Sequence, residues 1–198
     1  MTSIRGIDIS ENMVELYNRA ASSSGLTSAQ AHAMVGNLLV EDVHDGLQGA
    51  EWRDFDIAVV AAGLHHMEDP ALAMQRLAER LKPETGVLVV IDFLPFTHSR
   101  SHARSHSDEH TTTNVADMSH TIKHHGFARE DMAKLYADAG LEGFGWDVLP
   151  EPAVMEFKDG RAERTIFVAK GTRAPTTWGK LRNWMGGLQD QVGGQMRV

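Results

Sequence analysis

Residues 55–92 read FDIAVVAAGLHHMEDPALAMQRLAERLKPETGVLVVID, and this stretch decides the fold. It begins with an apolar run, Phe55 to Ala62, continuous enough to predict a strand buried on both faces. Asp69-Pro70 then opens a helix, with the aspartate as cap and the proline at the first helical position, where its missing N–H costs nothing. The helix carries an apolar stripe of Ala73, Met74, Leu77 and Leu81 and stops near Lys82-Pro83. After a Glu-Thr-Gly turn, Val87 to Ile91 supplies an unbroken run of branched apolar residues, the least ambiguous strand in the chain. Strand, helix and strand at this spacing form a parallel pair joined by a crossover helix.

The flanks repeat the alternation. Ile4 to Ile9 is a short strand, Ser10 an N-cap, and Met13, Leu16, Tyr17 and Ala20 follow a helical stripe. Ala31 to Leu39 is a further, partly apolar strand. Toward the C-terminus, Arg129 to Ala139 is a helix with Met132, Leu135, Tyr136 and Ala139 on one face and Gly140 as its stop. Strands near 143–149 and 163–169 flank Lys158-Asp159-Gly160, an Asp-Gly hairpin signal. The expected fold is α/β: a doubly wound, mostly parallel sheet that ends in a C-terminal antiparallel hairpin.

Two stretches stand apart. Residues 97–120 are rich in Ser, His, Arg and Thr without apolar periodicity and form an insertion in a domain of residues 1–170. Residues 171–198 form a tail with Trp178, Leu181, Trp184, Met185 and Leu188 on a short amphipathic stripe broken by Gly186-Gly187. The tail carries four basic groups against Asp190, whereas residues 1–170 carry 15 basic and 26 acidic groups. Body and tail are therefore different electrostatic objects, and the tail suits an acidic partner or membrane surface.

Composition narrows the function. At 198 residues with 42% apolar content, the chain is one core-forming domain with additions. Its net charge of −8 argues against nucleic acid, whose phosphates demand clustered Lys and Arg. The absence of cysteine excludes disulfides, thiolate zinc sites and cysteine nucleophiles, and it fits a cytoplasmic setting. No apolar run is long enough for a membrane span, and no signal-peptide block is present.

In order and spacing, four segments resemble class I S-adenosylmethionine-dependent methyltransferases of the small-molecule type. Gly6-Ile7-Asp8-Ile9-Ser10 with Asn12-Met13 resembles that family's second strand and following helix. Phe55 to Val60 through Leu64-His65-His66 resembles its fourth strand and the loop after it. Leu81-Lys82-Pro83 through Gly86 to Asp92 resembles the fifth strand and the helix before it, and His125-Gly126-Phe127 through Gly140-Leu141 resembles the late helix. The resemblance implies a Rossmann-like sheet and S-adenosylmethionine as cofactor. It implies a cofactor-binding set of Asp8, Ile9, Met13, Asn37, Leu38, Ala61 and Ala62: Asp8 for the ribose hydroxyls, Met13 against the adenine face, Asn37 with Leu38 at the adenine amino edge. Many relatives have aspartate where Asn37 stands. Ala61 and Ala62 are small residues where backbone approaches the methionine part. By residue type alone, Asp8 equally caps a helix, Met13 equally joins a core stripe and Asn37 equally makes a turn.

One part of the family pattern is missing. A glycine-rich turn is expected about 20 residues before the ribose-binding acid, yet Asp8 is the eighth residue and no G-x-G-x-G follows a strand elsewhere. The chain reads as N-terminally truncated relative to the family, or as a domain that has lost cofactor binding. Without the first strand, the second and fourth would keep unpaired edges, open to a partner chain or a second copy.

Methyl transfer to a hydroxyl or amine calls for a general base, and histidine suits this near neutral pH. His66, in the loop after the fourth strand, and His125, before the late helix, are the candidate catalytic residues; His65 and His124 are their weaker neighbours. His98, His102, His106 and His110 recur every four residues, a spacing that can hold a metal on a helix, but Ser and Arg surround them and no metal site is assigned. The expected function is S-adenosylmethionine-dependent methyl transfer to a small-molecule acceptor. The alternatives are a methyltransferase-like pseudoenzyme or interaction subunit and, more remotely, a histidine-rich metal-binding protein.

Overall fold

The computed structural model of the chain describes residues 3–96, 121–157 and 160–176. It divides into two compact units, residues 1–55 and 56–198. The histidine ladder of 98–110, the Trp178–Leu188 stripe and the Lys158-Asp159 part of the turn lie outside the described residues.

In the first unit, β1 (Ile4–Asp8) leads into α1 (Glu11–Ser23) and then β2 (Ala31–Val35), which pairs with β1 in parallel. This right-sized crossover needs only a three-turn helix, and Ser10 starts it by accepting the Met13 N–H. Of the helix residues Val14 is buried, whereas Met13 and Leu16 are each 53% exposed, so the Met13–Leu16 stripe is not the packed face. β2 stops four residues short of the expected Leu39, because Gly36 and an Asn37 turn end it.

Asn18 of α1 lies against β2. Its Nδ2 donates to the Ala33 carbonyl at 3.0 Å while its Oδ1 accepts the Ala33 N–H at 2.8 Å. Register places Gly6 opposite Ala33, and in a parallel pair the backbone of Ala31, Ala33 and Val35 then points away from β1. The Ala31 N–H is taken by the Thr27 carbonyl. The outer edge of β2 is thus occupied by side chain and turn rather than by another strand.

In the second unit, β3 (Ile57–Ala61), α2 (Pro70–Ala78) and β4 (Val87–Phe93) form the expected parallel crossover. Asp69 accepts the Leu72 N–H at 2.9 Å as the cap of α2, and Ala73, Met74, Ala78 and the following Leu81 are buried. α3 (Arg129–Asp138) precedes β5 (Leu141–Val148), and the sheet runs β3-β4-β8-β5 with β8 (Ile166–Arg173) antiparallel to both neighbours. Tyr136 of α3 is fully buried over this sheet, and its hydroxyl donates to the carbonyls of Ala169 and Leu88. Gly171 makes room for that ring, since a Cβ there would press into Tyr136.

Two expectations need correction. The Phe55–Ala62 run is not buried on both faces: in β3 Ile57 is 59% and Val59 56% exposed, so the face that carries Ile57, Val59 and Ala61 is left uncovered among the described residues. The expected antiparallel pair ends the sheet as β5 against β8, but the strands on either side of the Asp-Gly signal, β6 (Ala153–Phe157) and β7 (Gly160–Arg164), pair as a separate ribbon. β8 also runs to Arg173, past the start expected for the tail.

Candidate functional site

The first unit gathers Asp8, Ile9, Met13 and Asn37 at the C-terminal end of its two strands. Asp8 ends β1 and accepts the Ser10 N–H on Oδ1 at 2.8 Å. Because Ser10 caps α1, the Asp8 carboxylate is not spent on the helix, and its other oxygen makes no hydrogen bond among the described residues. Ile9 and Met13 are exposed beside it, so neither belongs to a core. The Gly36 N–H donates to the Asp8 carbonyl at 2.9 Å, which brings the next turn alongside. Within that turn the Asn37 side-chain oxygen accepts the Leu39 N–H at 2.8 Å, the turn geometry that its residue type allows, and Leu38 is half-buried.

The second unit gathers its candidates where β3 and β4 end. Ala61 and Ala62 are exposed; Ala62 holds the left-handed φ of +48°, with its N–H on the Ile91 carbonyl at 2.8 Å. A single helical turn, Leu64–His66, follows. His65 is buried, with its Nδ1 2.7 Å from Asp92 Oδ1, and its ring centroid lies 4.0 Å from that of His66. His66 is half-buried, with Nδ1 2.9 Å from the Thr121 hydroxyl. Residues 121–128 run along the same strand ends: the Lys123 and His124 N–H groups both donate to the His65 carbonyl at 3.0 Å, and the Phe127 N–H to the Phe93 carbonyl at 2.9 Å. His125 is exposed and packs against Phe96 with ring centroids 5.7 Å apart. Gly126 completes the passage with φ +82°, where a Cβ would collide with the Leu94 and Phe93 carbonyls.

Ligands of open α/β sheets collect at these carboxyl ends of strands. Residues 2–90 match a family model described as a methyltransferase domain. Over that stretch the chain is similar to methyltransferase domains. Its fold is similar to that of the YcgJ protein of Bacillus subtilis, with TM-score 0.60 and 11% identity over 88% of this chain and 84% of that one. It is also similar to a SAM-dependent methyltransferase of Methanosarcina mazei, with TM-score 0.54 and 20% identity over 88% and 83%. An uncharacterized methyltransferase of Schizosaccharomyces pombe is 29% identical over 70% of this chain. The present chain spans only 45% of that relative's length.

Sequence reasoning passed over Asp92 as a site residue and ranked His65 behind His66. The available signal was an acid closing the apolar run Val87–Ile91, since a carboxylate entering a core must find donors. Among the described residues, no three metal-ligating side chains cluster, and no helix is long and apolar enough to cross a membrane.

Proposed function

We propose that this chain binds S-adenosylmethionine and transfers its methyl group to a small-molecule acceptor. The observation that carries the reading is the Asp8 carboxylate, kept at the end of β1 by the Ser10 N–H and not consumed as a helix cap. The residues of the first unit fit the cofactor's nucleoside. A carboxylate in this place can accept both ribose hydroxyls, and exposed Met13 offers a flexible, polarizable side chain for an adenine face. Asn37 and Leu38 would border the adenine edge. Its Oδ1 already serves the Leu39 N–H, so Asn37 offers less there than a free acceptor. In the second unit, the exposed backbone at Ala61 and Ala62 would admit the methionine part.

When bound, S-adenosylmethionine supplies an electrophilic methyl group on a sulfonium. The chain's own contribution is to orient the acceptor and to take its proton. His66 or His125 would act as that base toward an O–H or N–H acceptor. The absence of cysteine supports a cytoplasmic setting, and the acidic composition argues against a nucleic-acid acceptor.

Calorimetric titration of the 198-residue chain with S-adenosylmethionine tests the reading. Binding is expected, and Asp8→Ala should weaken it at least about tenfold, the scale of a lost charge-assisted pair. Helix content should persist in that variant, because Ser10 is the cap. No heat with the wild-type chain would transfer the weight to an interaction subunit, a role that suits β1 and β3, each of which has a single partner strand among the described residues.

A further inference from the structure

Asp92 and His65 are the two buried polar side chains among the described residues, 1% and 4% exposed. Burying a carboxylate costs several kcal/mol unless donors surround it. Here the donors come from one neighbour above all. Asp92 Oδ2 accepts the His65 N–H at 3.2 Å, while Oδ1 lies 2.7 Å from His65 Nδ1 and accepts the Phe93 N–H at 2.8 Å. With Asp92 as the acceptor of this contact, the His65 proton sits on Nδ1. The His65 carbonyl in turn holds the Lys123 and His124 N–H groups. In the same segment the Thr121 hydroxyl meets His66 Nδ1. One chain of hydrogen bonds therefore joins the end of β4, the turn after β3 and the segment before α3.

We propose that Asp92 and His65 form a positioning dyad, which fixes the His65 tautomer and, through the 121–124 segment, sets His66 against Thr121. His65 is too buried to meet an acceptor itself and acts through its neighbours. The arrangement follows the logic of an acid that orients an imidazole, moved one residue away from the reacting ring. The kinetic arm of the test rests on the methyl-transfer reading; the spectroscopic arm does not.

Long-range proton–nitrogen correlation spectra of the full chain at about pH 8, above the ordinary imidazole range, read the tautomers directly. His65 is expected as the Nδ1–H form in the wild-type chain. Asp92→Asn should release that preference and shift the His66 ring resonances. His65→Asn keeps a donor near the Nδ1 position, whereas His65→Ala removes it. His65→Ala should lower kcat at least about tenfold, a fraction of the 10²–10⁴ that a general base contributes, with the acceptor KM little changed. His65→Asn should recover most of the loss. A wild-type His65 protonated on Nε2 overturns the proposal. So do His66 resonances that ignore both His65→Ala and Asp92→Asn in folded chains. Should Asp92→Asn fail to fold, the contrast between His65→Asn and His65→Ala decides alone. A chain with the expected tautomers and coupling but no methyl transfer upholds the dyad and removes the functional reading instead.

Discussion

Asn18 spends both ends of one amide on a single backbone residue, Ala33, in a partly buried place. Each hydrogen bond contributes about 1 kcal/mol, and leaving both Ala33 groups unsatisfied adds to that. Asn18→Ala should therefore cost about 1–3 kcal/mol in urea unfolding of the chain; an unchanged midpoint would show that water replaces the amide without loss. Asn18→Asp should be worse than Asn18→Ala, since it sets a carboxylate oxygen against the Ala33 carbonyl. At the neighbouring cap, Ser10→Ala should weaken α1 by about 1 kcal/mol, visible as lower helical ellipticity. Ser10 and Asp8 were legible in the sequence; the Asn18–Ala33 contact, between residues 15 positions apart, was not. Ser10 as cap and Asp8 at a strand end depend on residues a few positions apart. The His65–Asp92 contact spans 27 positions and depends on the β3–β4 register that sets Ala61 beside Ile91. No periodicity encodes that.

At the scale of elements, two apolar runs with the same look behave differently. Val87–Ile91 is central, between β3 and β8, and buries Leu88 and Val90; Ile57–Ala61 has one neighbour among the described residues and exposes alternate residues. Composition specifies that a segment is a strand, but edge or centre is decided by partners far away in the chain. The Asp-Gly turn misled for a related reason: it marks a hairpin without naming which strands beyond it join the main sheet. The passage from His125 to α3 is the element most sensitive to a single atom. Gly126→Ala combines a left-handed φ with a collision against β4 carbonyls. It should cost about 2 kcal/mol or more, as measured by thermal unfolding, and should disturb the His66–Thr121 contact in the same spectra. A variant as stable as the parent would mean that the segment can take another path.

For the whole molecule, Tyr136 ties α3 to the centre of its sheet. Burial raises its hydroxyl pKa well above the ordinary 10, the opposing effect of a backbone hydrogen bond being smaller. The neutral phenol is thus the folded form. Its stabilisation is complete below about pH 10 and is lost as pH rises from there toward the folded-state value, because the unfolded chain ionises first. Unfolding midpoints should fall across that alkaline window. Tyr136→Phe should lose about 1–2 kcal/mol at neutral pH and show a shallower alkaline fall; parallel slopes for both chains would assign the fall to other groups.

The occupied side of β2 has a consequence for assembly. A sheet with two free margins can add copies indefinitely and become a fibre, whereas one with a single free margin accepts one visitor and stops. With Asn18 and Thr27 seated on the outer backbone of Ala33 and Ala31, the outer side of β2 is a poor template for an added strand. On that side the asparagine acts as a chain terminator in the polymer chemist's sense.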